Sequence, residues 1–232
     1  MKKVLLLLML VSIGLYAQEK KASSNFSTTT VEKLDLNKIF DKKTGEKISP
    51  RKFLKLRKSD KNYILERVID KYGNIERYLY VKTTKKLITR DVSNRIKPGE
   101  KFPNFNLKTI ENRRIVLDKL KKKIVIIRFE MEANSFRFKK REILELDNQI
   151  NELKNKNEKV EALIIFISNA SEIKKGFNLK KSNFKLVANG QNFNERYFIT
   201  RYPTTIVIDG KGNLIDYFSY SGEIVLKDLI KK

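Results

Sequence analysis

The chain has 232 residues and contains neither cysteine nor histidine, which excludes thiol nucleophiles, disulfides, imidazole bases and ordinary zinc sites. Hydrophobic residues make up 41%, enough for a buried core, and 51 Lys and Arg against 27 Asp and Glu give a formal net charge of +24. The lysines are spread along the whole chain, as is typical of a solvated surface. We therefore expect no nucleic-acid partner, no metal site and no cofactor.

The first 17 residues have the pattern of a secretory signal peptide. Lys2 and Lys3 give a positive start, residues 4–15 are apolar but too short to cross a bilayer comfortably, and Ala17 is a small residue suited to cleavage before Gln18. No cysteine follows, so this is not a lipoprotein signal. We expect an exported protein of the periplasm or cell envelope, still very basic after loss of Lys2 and Lys3. An uncleaved membrane anchor is the alternative.

Composition divides the remaining chain into three parts. Residues 18–35 are polar and rich in serine and threonine, which predicts a flexible linker. Residues 36–95 form a small α+β region, and residues 96–232 a larger α/β domain. About 60 residues is marginal for independent folding. We therefore expect the small region to pack on the larger domain, with extension of that domain's sheet as one way of doing so.

The small region contains one predicted helix and one predicted hairpin. Ser49 followed by Pro50 is a favourable helix start. Two strand-like runs at 63–69 and 75–81 flank a turn sequence, which predicts a β-hairpin. The side chains expected on the inward face of the helix are those of Phe53, Leu54 and Leu56.

In the larger domain, a strand–helix–strand pattern predicts a βαβ unit. The apolar runs 124–127 and 163–167 predict strands buried on both faces, and residues 136–154 between them have helical spacing of apolar side chains. This spacing predicts a parallel pair with a right-handed crossover. The other predicted elements are a strand at 115–117, a serine-capped helix at 171–177, a strand at 184–187, a helix at 192–198, and a closing helix at 223–232 with Val225, Leu226, Leu229 and Ile230 inward.

A proline stands at the mouth of a second predicted hairpin. Pro203 directly precedes the β-branched run 204–208, and a turn sequence at 209–213 leads into another strand-like run at 214–218. Proline has no backbone donor and therefore belongs at the start or edge of a strand. The peptide bond before Pro203 is also a candidate for the cis form.

Four segments resemble the redoxin branch of the thioredoxin-like superfamily. That branch contains the alkyl-hydroperoxide-reductase/thiol-specific-antioxidant (AhpC/TSA) proteins and the exported TlpA/ResA-like thiol-disulfide oxidoreductases. The resemblance implies a thioredoxin-like α/β fold, with a mixed sheet built from βαβ and ββα units and helices on both faces. The matching segments are Pro98–Phe105 (G-x-x-x-P-x-F in the family), Ile115–Phe129 (L-x-x-L-x-G-K, a strand, then Phe), Glu142–Leu146 (E-x-P-x-L) and Arg201–Gly212 (Y-P-T-T-F-L-I-D-x-x-G).

The redox motif W-C-x-x-C of that family has no counterpart here. Counting forward from Phe129 places Asn134 and Arg137 at the two cysteine positions. Counting back from Glu142 instead places Phe136 and Lys139 there, so the loop has been lengthened or rebuilt. Thiol–disulfide exchange and peroxide reduction by redoxins both need a cysteine thiolate, and neither activity can be carried over.

Three hypotheses about function follow, and the sequence leaves the oligomeric state open. The first is a redox-inactive protein that binds a protein or an extended peptide by strand addition at the proline loop. The second is a thiol-independent enzyme using Glu130 or Glu132, which requires a water-excluding pocket and a raised carboxyl pKa. The third is attachment of a basic face to anionic envelope polymers, which high salt would abolish. Under the first hypothesis no residue is catalytic, and the groove residues are Asn134, Ser135, Phe136, Arg137, Tyr202, Pro203 and Thr204.

A basic cluster lies at the expected start of the main helix. A helix N-terminus favours anions, so these cations could hold an anionic ligand there. The favoured interpretation is that they pair with Glu142 and Glu145 at helical spacing. The cluster comprises Arg137, Lys139, Lys140 and Arg141.

Overall fold

The computed structural model describes residues 33–83, 91–179 and 181–230. The predicted signal peptide, and the predicted linker up to residue 32, lie outside these residues. Among the helices of the described residues, none is long and apolar enough to cross a membrane. The elements, in chain order, are β1 Ile39–Asp41, α1 Pro50–Ser59, β2 Tyr63–Ile69, β3 Ile75–Lys82, β4 Asn106–Lys108, β5 Arg114–Val116, β6 Ile124–Glu130, α2 Lys140–Asn151, α3 Lys156–Lys159, β7 Val160–Phe166, α4 Ala170–Gly176, β8 Phe184–Val187, α5 Gln191–Arg196, β9 Thr204–Ile208, β10 Leu214–Phe218 and α6 Leu226–Ile230.

The main sheet has five strands in the order β10-β9-β6-β7-β8. Strands β6, β7 and β8 are parallel, whereas β9 is antiparallel to β6 and β10 is antiparallel to β9. The predicted βαβ unit and the hairpin after Pro203 are thus confirmed. Helices α2, α4 and α6 pack on one face of the main sheet and α5 packs on the other, as in the thioredoxin-like fold that the resemblance implies. Strands β4 and β5 form a small separate hairpin.

Strand alternation divides the core between the two faces of the main sheet. Val125, Ile127 and Phe129 of β6 face one apolar cluster, and Ile124 and Ile126 face the other, against α2 and α6. Successive side chains of a strand point to opposite faces, so the next two positions of that second face fall to residues 128 and 130. These positions hold an arginine and a glutamate, which are nevertheless buried.

The small N-terminal region forms a sheet of its own, in the order β1-β3-β2. The predicted hairpin is confirmed, but extension of the main sheet is wrong. Ser49 caps α1 as expected, since its Oγ accepts the N–H of Lys52 at 3.3 Å. Only Phe53 of the expected inward side chains is buried. Leu54 is 45% exposed, because the next position on a helix turns by about 100°.

This sheet packs on helix α5, as expected for a region too small to stand alone. The Nε of Arg67 in β2 donates to the Oε2 of Glu195 at 2.7 Å, and the Nδ2 of Asn192 donates to the carbonyl of Gly73 at 2.9 Å. Gly73 has φ +85°, and a Cβ placed on it would lie 2.6 Å from the ring of Phe193. The described residues from Asp35 onward form one compact unit that includes both regions.

Three helix predictions need correction. Helix α2 begins at Lys140 instead of residue 136 and ends at Asn151. Helix α4 is capped by Asn169 instead of a serine: the side chain of Asn169 accepts the N–H of Glu172, and the Glu172 side chain accepts the N–H of Asn169. Val225, expected to point inward, is 50% exposed because the final helix begins only at Leu226.

Candidate functional site

Three segments meet at the edge of the main sheet where β6 ends. Phe129 of β6 lies opposite Thr204 of β9, and Thr205 lies opposite Phe218 of β10. This register brings the chain after β6, the chain before β9 and the chain after β10 to one edge of the sheet. We call it the loop edge, comprising residues 131–139, 201–203 and 219–220. It corresponds to the position at which the redox cysteines were expected from the family pattern.

The loop after β6 lacks regular secondary structure, but contacts with neighbouring segments hold its backbone in place. The carbonyl of Met131 accepts the N–H of Ile167 at 3.1 Å and the N–H of Ser168 at 3.3 Å. A Cβ built on Gly176, the last residue of α4, would lie 2.8 Å from the backbone of Ala133 and Asn134. The loop is therefore held by the segment after β7 and by the end of α4.

An aromatic anchor explains why the main helix starts late. The ring of Phe138 is buried, 5.7 Å from that of Phe166 and 6.0 Å from that of Phe177 between centroids. The N–H of Phe138 donates to the carbonyl of Ser135 at 3.0 Å, which makes a turn. Burying Phe138 in this way fixes residues 136–139 outside the helix, and α2 starts at Lys140.

The predicted groove residues differ widely in exposure. Phe136 is 90% exposed, Asn134 and Arg137 are exposed, and Ser135 is partly buried. Before β9, Tyr202 and Pro203 are partly buried and the peptide bond between them is cis. Thr204 is buried within the sheet, and its Oγ1 donates to the carbonyl of Arg201 at 2.9 Å.

A buried ionic cluster lies directly behind the loop edge. The guanidinium of Arg128, which is 0% exposed, donates from Nε to Glu130 Oε1 at 2.7 Å and from Nη1 to Glu142 Oε2 at 2.9 Å. Nη1 also donates to the Oγ of Ser221 at 2.6 Å, and that hydroxyl donates to Glu142 at 3.2 Å. The remaining nitrogen of the guanidinium, Nη2 of Arg128, is buried with no hydrogen-bond partner among the described residues. We call Arg128, Glu130, Glu142 and Ser221 the Arg128 cluster.

The Arg128 cluster contains only one of the two carboxylates, Glu130 and Glu132, that the enzyme hypothesis considers. Burial raises the pKa of Glu130 above its ordinary value, although the charge of Arg128 acts in the opposite direction. Glu132, by contrast, is exposed to solvent. One carboxylate is ion-paired inside the protein and the other is solvated, so the two do not share a site.

The basic cluster expected at the start of the main helix is divided between separate contacts. Arg141 pairs with Glu145 at 2.9 Å, as expected, but Glu142 turns inward to Arg128. Arg137 lies before the helix with its guanidinium 5.5 Å from the ring centre of Phe136. The sequence did not predict the Arg128 cluster, and the signal that could have indicated it is an arginine directly after the four apolar residues 124–127.

Comparison with known proteins establishes the family. A model of the AhpC/TSA family matches residues 98–217, more than half of the chain, and the chain belongs to that family. No curated protein sequence matches it. Since the chain has no cysteine, it is a family member of thioredoxin-like fold without the residues that thiol chemistry requires.

Several solved structures resemble the chain at low identity. A C-terminal domain described as that of a thiol-disulfide oxidoreductase from Bacteroides thetaiotaomicron is 18% identical, with TM-score 0.49, covering 58% of this chain and 97% of the other. The thioredoxin domain of a thiol-disulfide oxidoreductase from Bacteroides vulgatus is 17% identical, with TM-score 0.48 and coverages of 57% and 96%. The exposed lipoprotein thioredoxin from Streptococcus pneumoniae is 18% identical, with TM-score 0.42 and coverages of 56% and 100%.

Proposed function

We propose that this chain is a redox-inactive AhpC/TSA-family protein of the cell envelope that binds an extended segment of a protein or peptide at the loop edge. The observation that carries the proposal is Phe136, whose ring is 90% exposed on a loop of fixed path. An aromatic ring held in place loses little conformational entropy on binding and buries a large area, which makes it a typical anchor of an interface.

Other apolar side chains are exposed at the loop edge besides Phe136. Met131 is 36% exposed and Tyr220 is 49% exposed, and both belong to the loop edge. Arg137 lies over the ring of Phe136, where a cation–π contact favours one ring position. Aromatic residues, Met and Arg are the types enriched in protein–protein interfaces.

The segment before β9 supplies the second wall of the proposed groove. Tyr202 and Pro203 are partly exposed at the start of a central strand, and Pro203 has no N–H with which to continue the ladder. A partner segment in extended conformation would run beside these residues and place an apolar side chain against Phe136, a form of strand addition. The proposed groove residues are Asn134 to Arg137 with Tyr202 and Pro203. Thr204, also predicted as a groove residue, is buried within the sheet.

The proposed location rests on the N-terminal sequence pattern. Lys2 and Lys3, the apolar stretch 4–15 and the small Ala17 favour export with cleavage before Gln18. In an envelope compartment a protein without cysteine takes no part in thiol exchange, and we infer that it acts by binding a partner.

Selection of peptides by the expected mature form, residues 18–232, tests the proposal. Peptides from a random display library would be synthesised and their affinities measured for the wild type, Phe136→Ser and Leu54→Ser. Leu54 is the matched control, a 45% exposed apolar residue on α1 far from the loop edge in sequence. We expect Phe136→Ser to weaken binding about tenfold or more, as for an interface anchor, and Leu54→Ser to leave the affinity unchanged.

Salt dependence separates this proposal from attachment by charge alone. Binding at the loop edge is largely apolar, so we expect the affinity to change little between low and high salt. Affinity that collapses with salt and ignores Phe136→Ser would replace the groove with electrostatic attachment to anionic polymers. Failure to select any peptide that discriminates between the two variants would also overturn the proposal.

A further inference from the structure

A cleft lies at the edge of the main sheet opposite the loop edge. Val125 at the start of β6 is opposite Ile208 at the end of β9, so the chain before β6 and the β9–β10 turn meet there. The cleft has a volume of about 350 Å³. This volume falls within the range of about 300–1,000 Å³ that is typical of small-molecule sites.

The floor of the cleft is aliphatic. Ile124 comes from β6, Ile215 from β10, and Leu229 and Ile230 from the closing helix α6. Ile124 is buried, whereas the other three are only partly buried and leave apolar surface facing the cleft. Covering this surface with an alkyl group is favourable, because it removes apolar area from water.

Three lysines from separate elements line the same cleft. Lys122 precedes β6, Lys159 ends α3 and Lys211 lies in the β9–β10 turn. We call these three lysines the rim of the cleft. Backbone hydrogen bonds hold two of them in place: the N–H of Lys122 donates to the carbonyl of Gly210 at 2.8 Å, and the N–H of Lys211 donates to Asp209 Oδ1 at 2.9 Å.

Among the residues that the structure describes, the ammonium groups of the rim have no acidic partner. In the described part of the chain no ion pair is formed by Lys122, Lys159 or Lys211, whereas Lys123 and Lys185 nearby both pair with Glu161. The one carboxylate of the lining, Asp209, accepts the N–H groups of Lys211 and Asn213 and the side-chain amide of Asn213. Its charge is therefore already partly satisfied by the turn.

We propose that this cleft binds an amphipathic anion with one alkyl chain of medium length. The alkyl chain lies on the aliphatic floor, and a carboxylate or phosphate head group lies among the three lysines, which act as point charges toward either head group. The site is independent of the proposed peptide groove, because the two lie at opposite edges of the sheet. Variants of one are therefore expected to leave the other unaffected.

Calorimetric titration of the expected mature form tests this site. The probes are decanoate, decyl phosphate, decan-1-ol and inorganic phosphate, each below its micelle concentration. The variant is Lys122→Gln/Lys211→Gln, and the matched control is Lys43→Gln/Lys108→Gln, which removes the same charge at exposed positions outside the cleft. Thermal unfolding of each variant confirms that it is folded.

We expect saturable one-to-one binding of decanoate or decyl phosphate, and the tighter of the two identifies the head group. The cleft variant should weaken binding about tenfold, since two ammonium groups near an anion each contribute modestly in solvent. The control variant and the wild type should bind equally, and inorganic phosphate should bind more weakly than decyl phosphate. Equal loss in both variants, decan-1-ol binding as tightly as decanoate, or no saturable binding would overturn the proposal.

Discussion

Arg128 donates from Nε to the carboxylate of Glu130 at 2.7 Å, and the two side chains are 0% and 3% exposed. Residues two apart on a strand share a face, so β6 itself places this pair side by side. The same guanidinium also pairs with Glu142, which leaves one buried cation facing two buried carboxylates. The cluster is therefore both deeply buried and short of one positive charge when its two carboxylates are ionised.

The first prediction concerns pH. Burial raises the pKa of Glu130, so between the ordinary value of about 4.3 and the higher folded value the folded chain binds more protons than the unfolded chain. The contribution of Glu130 to the free energy of unfolding is therefore present at low pH and lost as pH rises through the folded pKa. Glu130→Gln cannot titrate and should gain stability relative to the wild type with rising pH, by at most about 1.4 kcal/mol per pH unit.

Urea unfolding of both proteins at several pH values, from about 4 to 8, measures this difference. Taking the difference between variant and wild type cancels the titration of the carboxylates outside the Arg128 cluster. A difference that stays constant, or that favours the wild type as pH rises, would contradict a raised pKa at Glu130.

The second prediction concerns the buried arginine. Arg128→Met leaves Glu130 and Glu142 buried without their cation, and breaking a buried ion pair in this way costs about 3–5 kcal/mol. The triple variant Arg128→Met/Glu130→Gln/Glu142→Gln also removes the two unpaired negative charges. It should therefore recover part of the lost stability. Arg141→Met is the control, because Arg141 is 90% exposed and its pair with Glu145 contributes little. A triple variant no more stable than the single one would show that the cost does not come from unpaired carboxylates.

The third prediction tests how the loop after β6 is held. Alanine is normally favoured over glycine in a helix by about 1 kcal/mol. At Gly176, however, a Cβ would lie 2.8 Å from the backbone of Ala133 and Asn134. We expect Gly176→Ala to destabilise the protein by about 1–3 kcal/mol, as overpacking does, and Lys175→Ala next to it to be neutral. Unchanged or increased stability of Gly176→Ala in urea unfolding would mean that the contact is not tight.

The fourth prediction concerns the contact between the two regions. Arg67 and Glu195 are a forked pair whose side chains are 27% and 20% exposed. In a double-mutant cycle with alanine we expect a coupling of about 1 kcal/mol, and unfolding of both regions in one transition. The exposed pair of Lys42 and Glu66 is the control, with a coupling below about 0.5 kcal/mol. Two separate transitions, or equal couplings in the two cycles, would show that the small region is not held by this pair.

Local patterns in the sequence were sufficient for the central strands, two hairpins and the cap of the first helix. The apolar run at 124–127, the hairpin after Pro203 and the Ser49 cap each follow from residues within a few positions of one another, and all are present. The absence of cysteine likewise decided, without any coordinates, that thiol chemistry is impossible. These properties depend on composition and short-range periodicity, which a sequence displays directly.

The tertiary structure decided which polar residues are buried and what they contact. Helical spacing pairs Glu142 with nearby cations, but its partner is Arg128, fourteen residues away, joined by Ser221 from the far end of the chain. The rings that anchor Phe138 also come from distant segments. Burying an unpaired charge costs a large amount of free energy, so a buried charged side chain has to be paired. Which partner it pairs with depends on which segments the fold brings together. Periodicity along one helix cannot contain that information.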